Sequence, residues 1–205
     1  MIDHEATYIQ TIKNVLTADE CTEWIACIKD NNPVNAPITT AFGEVQDSRI
    51  RNNRRVMFDD LEEAQKLFDR VRKDAPPECF GWKLVGANER LRCYEYQAGQ
   101  YFARHMDGAF VRNRDEQSFY TFMVYLNNEF TGGETRFLVE PEKCIVPEVG
   151  MALLFQHPII HEGCEVLSGT KYVIRTDLMY RRDPKRHLKL VRSQERQNNE
   201  SASQF

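Results

Sequence analysis

The chain has 205 residues, 41% of them hydrophobic and 28% charged, the balance of one ordinary globular domain large enough to bury a core. Its net charge of -4 gives no electrostatic footprint for a phosphate backbone. No stretch reaches the roughly 18 apolar residues that a membrane-crossing helix requires, so the expectation is no nucleic acid and no membrane partner.

The N-terminus, Met1-Ile-Asp-His-Glu-Ala-Thr-Tyr8, lacks the basic and then apolar order of a secretory leader, and a cytoplasmic setting is expected. A first helix is predicted over residues 17–30, where Thr17 and Glu20 form a capping box and Cys21, Trp24, Ile25 and Ile28 make an apolar stripe. Residues 33–58 read as a polar loop too irregular for a regular element. It carries the basic cluster Arg49, Arg51, Arg54 and Arg55, either a solvated face or a substrate-binding lid with Arg54 as its candidate contact. A second helix is predicted over residues 60–73, with Asp59 and Glu62 as its start signal, Leu61, Ala64, Leu67, Phe68 and Val71 on one face, and Pro76-Pro77 as its stop.

From Arg90 to Tyr180 the texture changes to short β-branched and aromatic runs at residues 91–96, 101–105, 119–126, 135–139, 151–155 and 172–180. Turn signals at Ala98-Gly99, Gly132-Gly133, residues 147–150, and Gly163 or Gly169 recur at the spacing of an antiparallel sandwich or barrel. A mostly β fold with α follows: helical N-terminal support over residues 1–88 and a β core over residues 89–182, together one domain. Residues 183–205, basic and then polar, are expected to be a flexible tail. The six cysteines (Cys21, Cys27, Cys79, Cys93, Cys144, Cys164) form no Cys-x-x-Cys pair and read as free thiols without chemistry.

His105 and Asp107 flank Met106, and on an extended strand such neighbours share a face. His161 follows some fifty residues later, at the end of an apolar run. Two histidines and one carboxylate make the facial triad of non-haem iron(II) oxygenases, although zinc in a hydrolase accepts the same set. His157, four residues before His161, is a rival ligand, but Pro158 interrupts the strand beside it. Lys171 discriminates between oxygenase and hydrolase, because a 2-oxoglutarate oxygenase must pair the distal carboxylate of its cosubstrate with a buried cation.

The wording around these residues resembles the prolyl 4-hydroxylase family of 2-oxoglutarate oxygenases over roughly residues 91–180. The matching residues are Tyr94, Gly99, Tyr101, His105 and Asp107, then Tyr125-Leu126-Asn127 and Gly132-Gly133-Glu134-Thr135, and finally Gly150, Phe155, His161, Gly163, Gly169, Lys171 and Tyr172. The resemblance implies a double-stranded β-helix, the jelly-roll or cupin-like core. It implies an Fe(II)- and 2-oxoglutarate-dependent dioxygenase that hydroxylates an unactivated C–H bond, in first place a prolyl residue of a peptide or protein, and releases succinate and CO2. Another residue, a free amino acid or another small molecule is the alternative substrate, and a non-catalytic metal-binding barrel the alternative role. Cofactors would be Fe(II), 2-oxoglutarate, O2 and L-ascorbate; the oligomeric state stays open.

By the same resemblance His105, Asp107 and His161 are catalytic and hold the metal, Lys171 binds the cosubstrate's distal carboxylate, Tyr94 donates a hydrogen bond there, and Tyr101 lines the pocket. Tyr94 is open to a second reading as core aromatic. Glu134 and the loop of residues 33–58 are candidates for covering the site. Arg175 departs from the family pattern, which has a small or neutral residue at that place. It either replaces or assists Lys171 in holding the cosubstrate, pairs with Asp177, or reads a carboxylate on the substrate.

Overall fold

The computed structural model describes residues 7–40 and 43–182. The expected tail, residues 183–205, falls outside them. Two antiparallel sheets carry the architecture. The larger runs in the order Ile9–Ile12, Ala152–Gln156, Glu116–Tyr125, Val166–Arg182, Arg90–Gln97, Arg54–Asp59, Val34–Asn35, with Trp82–Ala87 paired to the far half of Val166–Arg182. The smaller has the order Lys143–Ile145, Thr135–Phe137, His161–Gly163, Phe102–His105. The inner faces meet in one core of Tyr94, Tyr125, Leu153, Phe155 and Val173 from one side and Phe137 and Ile145 from the other, so the sheets are the two halves of a jelly roll.

Alternation along the strands sets what faces where. On Val166–Arg182, Tyr172, Ile174, Leu178 and Tyr180 join the outer core under the helices, while Lys171, Val173 and Arg175 point into the barrel. The helix Ala18–Asp30 has the expected capping box, Thr17 accepting from the Glu20 amide at 3.2 Å and Glu20 from the Thr17 amide at 2.8 Å. Cys21 and Ile28 are buried on it, and Trp24 stacks on Phe58 at 6.2 Å.

The second helix, Leu61–Val71, starts one residue later than its predicted signal. Asp60 caps it, accepting from the Glu63 amide at 3.0 Å, because Asp59 still belongs to the preceding strand and pairs with Arg90. Residues 33–58 are more regular than expected. They include Val34–Asn35, the small hairpin Ile38–Thr40 with Gly43–Val45, and the six-residue strand Arg54–Asp59. Val56 and Phe58 of that strand pack on the outer core, an alternation that Arg54 and Arg55 concealed. Gly169, read as a turn, lies inside the 17-residue strand Val166–Arg182.

Candidate metal centre

His161 is registered directly opposite His105 on neighbouring strands of the smaller sheet, which puts both imidazoles on one face with ring centroids 4.2 Å apart. Asp107 follows as the chain leaves its strand, its amide donating to the carbonyl of His157 at 3.0 Å. Asp107 Oδ1 lies 3.6 Å from His105 Nε2 and Oδ2 lies 3.7 Å from His161 Nε2, and the three ligand atoms fall within 4.8 Å of one another.

Backbone carbonyls fix the tautomers. His105 Nδ1 is 2.7 Å from the Ala103 carbonyl and His161 Nδ1 is 2.9 Å from that of Ile159. A carbonyl only accepts, so each Nδ1 carries the proton and each Nε2 offers its lone pair to the common centre. Burial pushes His161 down to about 4, leaving it neutral at physiological pH. Burial opposes the charge on Asp107, but Arg175 and then the two imidazoles outweigh it and hold the carboxyl well below its ordinary range. Neutral Nε2, neutral Nε2 and carboxylate on one face fit a divalent metal with positions left open on the other side.

Asp107 is gripped from behind. Thr121 Oγ1 donates to Oδ2 at 2.5 Å, and Arg175 Nη2 contacts Oδ1 at 2.9 Å. His157 belongs to this support and is no ligand. Its Nδ1 reaches Thr121 Oγ1 at 3.1 Å and its Nε2 reaches Ser118 Oγ at 2.8 Å, while Ser118 accepts from the Phe110 amide. One assignment satisfies every atom: Ser118 donates to His157 Nε2, His157 Nδ1 to Thr121, and Thr121 to Asp107. Burial lowers His157 as well and keeps it in the neutral form this chain of donors needs.

Beyond the triad a cavity runs deeper into the barrel, walled by Arg51, Tyr94, Tyr96, Thr135, Lys171 and Arg175. Lys171 is 2% exposed, donates to the Gly133 carbonyl at 2.6 Å and lies over the Tyr96 and Tyr125 rings at 5.3 and 5.4 Å. Among the described residues no carboxylate forms an ion pair with it. Burial pulls it down to about 8. Arg51 is buried over the Tyr94 and Phe102 rings at 4.6 and 4.3 Å, with Nη2 left without a hydrogen-bond partner. Burial would raise the Tyr94 hydroxyl, but Arg51, Arg175 and Arg92 bring it below its ordinary value. Three cations against the single carboxylate of Asp107 make a cavity built to receive an anion with more than one charge.

Several sequence candidates lie elsewhere. Tyr101 points its hydroxyl away from the cavity, donating to the Arg49 carbonyl at 3.1 Å and so tying down the preceding loop. Arg54 is on the opposite face of the larger sheet, paired with Glu95 at 3.1 Å. Glu134 accepts from the Cys164 amide through its carbonyl and is not part of the cavity wall. Arg175 pairs first with Asp107 and only distantly, at 3.7 Å, with Asp177. Arg51 and Thr121 belong to the site without an individual mark in the sequence, whereas Thr135, in the cavity wall, stands in the matched Gly132-Gly133-Glu134-Thr135 stretch. Arg51 is one of four arginines within seven residues, and only its bridge to Phe102 draws it inward.

Comparison with known proteins gives the same outline. Residues 91–176 match the 2OG-Fe(II) oxygenase superfamily. Prolyl 4-hydroxylase 1 of Arabidopsis thaliana is 24% identical over 188 residues, 80% of this chain and 66% of that protein, so the chain spans somewhat under two thirds of this relative's length. Among solved structures, the viral collagen prolyl hydroxylase of Paramecium Bursaria Chlorella virus-1, in its 2OG complex, superposes with a TM-score of 0.61 at 21% identity, covering 87% of this chain and 99% of that one. A prolyl hydroxylase from Trichoplax adhaerens, in complex with a hypoxia inducible factor peptide fragment, gives 0.64 at 19% identity, with 88% and 86% covered. At these identities the structural likeness speaks to the fold.

Proposed function

We propose that this chain, whose residues 91–176 match the 2OG-Fe(II) oxygenase superfamily, is a prolyl 4-hydroxylase-like enzyme that hydroxylates an unactivated C–H bond at the expense of 2-oxoglutarate and O2, with a prolyl residue of a peptide or protein as substrate and succinate and CO2 as co-products. The observation that carries this reading is the joining of a three-ligand face, His105, Asp107 and His161, to a cavity whose buried Lys171 forms no ion pair with a carboxylate among the described residues.

Iron(II), when bound, would supply the activation of dioxygen that no side chain here can perform. The protein's part is positional. The Ala103 and Ile159 carbonyls present both Nε2 atoms, and Thr121 and Arg175 hold Asp107 in one orientation. Lys171 has two N–H donors beyond the one on Gly133 with which to pair the distal carboxylate of the keto acid, and in this reading the Tyr94 hydroxyl, from the wall of the same cavity, assists it. Arg51, with its free Nη2, would complete the cation wall. In this reading L-ascorbate serves as a further cofactor and the cytoplasm is the compartment, both inferred from the sequence alone.

The test is anaerobic titration of 2-oxoglutarate into the iron(II)-loaded protein, following the visible charge-transfer band of a keto acid chelated to iron. The band is expected in the wild type, absent in His105→Ala and weakened in Lys171→Ala. Tight metal binding without a band in the wild type would overturn the oxygenase reading and favour a hydrolytic or non-catalytic metal barrel.

A further inference from the structure

Of the three cations in the cavity wall, Arg175 alone touches a carboxylate among the described residues. Lys171 donates to the Gly133 carbonyl and Arg51 Nε to Asn53 Oδ1 at 2.7 Å, neither partner being charged. Arg175 Nη2 reaches Asp107 Oδ1 at 2.9 Å, and the two side chains are only 14% and 4% exposed, so little water screens the pair. The strand places it there. Lys171, Val173 and Arg175 point inward in turn along Val166–Arg182, and Arg175 is registered against Met123, two residues from the Thr121 that also holds Asp107.

The contact falls on a ligand atom. Oδ1 is the oxygen that stands 3.6 Å from His105 Nε2, and so it faces the centre that the three ligand atoms share, while Oδ2, 3.7 Å from His161 Nε2, is held by Thr121. Thr121 orients the carboxylate with a neutral hydroxyl, whereas Arg175 adds a permanent charge. Asp177, its other neighbour, already has a cation: Arg92 Nη1 pairs with Oδ2 at 3.0 Å, and Arg175 stays 3.7 Å from Oδ1. Two neutral imidazoles and one carboxylate carry a single negative charge, and the guanidinium cancels it.

We infer, resting on the reading that the triad holds iron, that Arg175 is a positioning residue that tunes the metal through Asp107: it draws on the ligand oxygen and sets a cation beside the site, and so favours iron(II) over iron(III). Repulsion by a neighbouring charge scales with the charge of the ion, so the trivalent ion loses more than the divalent one, and least is screened where the surroundings are dry. Groups that hydrogen-bond a metal ligand set its donor strength in the same way. The couple concerned is the one-electron reduction of iron(III) to iron(II). No bond is made or broken at Arg175 and no proton leaves it, because a guanidinium stays charged throughout. The ferrous form, which the proposed reaction requires, is thereby held at a higher potential than the three ligands alone would give it.

Two variants separate charge from orientation. Arg175→Gln still has an N–H to offer Asp107 but no charge, and Arg175→Lys keeps the charge. Both, with the wild type, are loaded with iron in the absence of 2-oxoglutarate, so that no cosubstrate contact contributes, and the iron(III)/iron(II) potential is read by mediated redox titration with the ferric EPR signal; manganese(II) affinity is measured beside it. Arg175→Gln is expected to bind manganese(II) and to shift the iron(II)-over-iron(III) preference toward iron(III) by about tenfold or more, a fall of about 59 mV or more for a one-electron couple. Arg175→Lys is expected to stay within about twofold of the wild-type preference. A potential in Arg175→Gln that matches the wild type, or an equal fall in both variants, would overturn the tuning role. Loss of manganese(II) binding in both variants would overturn it as well, by showing that Arg175 only assembles the site. A wild type that takes up no iron would instead remove the reading of the triad itself.

Discussion

The charge on Lys171 is the point on which cosubstrate recognition turns, and burial makes it titrate near the working range. Its value falls to about 8 from an ordinary lysine's range, so the free protein holds the cation fully only below that pH. A dianion binds the protonated form, which raises the lysine's own affinity for its proton. The affinity for 2-oxoglutarate is therefore expected to be level below about pH 8 and to fall above it. Lys171→Met, similar in volume and without charge, should bind about 10- to 100-fold more weakly at pH 7 and show no step near pH 8. A wild-type affinity that stays flat to pH 10 would remove Lys171 from the role. Thr121 offers a second case. Thr121→Val keeps the shape but strands Asp107 Oδ2 and His157 Nδ1 together. Cobalt(II) titration is expected to find an affinity loss of about 10- to 100-fold, as for other groups that orient metal ligands. An unchanged isotherm would show that Arg175 alone positions the carboxylate. At this scale the clustering of His105, Asp107 and His161 and the inward position of Lys171 were legible, because the proposed chemistry needs those residue types at those offsets. Tyr101, Arg54 and Glu134 were not, because a residue's type does not reveal which side of a strand or loop it takes. Arg51 illustrates the converse: composition showed a basic cluster, and only tertiary pairing decides which arginine enters the cavity.

Elements were legible where local rules and tertiary packing agree. The capping box at Thr17 and Glu20 marks its helix because it satisfies amides that would otherwise lack partners. The strand Arg54–Asp59 escaped notice because its arginines serve the sheet as an ion pair with Glu95 and a contact to Glu44, while propensity reads such a run as loop. The glycines misled for a different reason. A Cβ on Gly169 would come within 2.6 Å of the Glu129 carbonyl, and one on Gly132 within 2.3 Å of the Glu165 carbonyl, both at positive φ. These glycines let the Phe130–Gly132 strand lie close against the first part of Val166–Arg182, and the sequence signal for close approach is the same as for a turn. Gly132→Ala is accordingly expected to cost about 2 kcal/mol or more in urea unfolding, through strain rather than lost contacts. A loss comparable to that of an ordinary surface substitution would mean that the backbone there relaxes easily.

Across the whole molecule, the two sheets hold the triad in a state that folding tolerates best when the metal is present. Without metal, His161 is buried neutral with its value near 4, while an unfolded histidine titrates near 6.5, and His157 is lowered in the same direction. The unfolded chain thus takes up protons first as the pH falls. The stability due to these histidines is fully present above about pH 6.5 and is lost progressively down toward pH 4, by roughly 3 kcal/mol for His161 alone. A divalent ion binds the folded triad and not the dispersed ligands of the unfolded chain, so it adds stability by mass action. At about one hundred times its dissociation constant that amounts to about 2.7 kcal/mol, or about 5–10 °C in Tm for a chain of this length. Thermal melts of chelator-treated protein between pH 8 and 4, repeated with manganese(II), should show both effects, and His161→Phe should abolish the manganese shift. A melt insensitive to manganese at neutral pH would mean that the three side chains, although assembled, do not bind a divalent ion in solution.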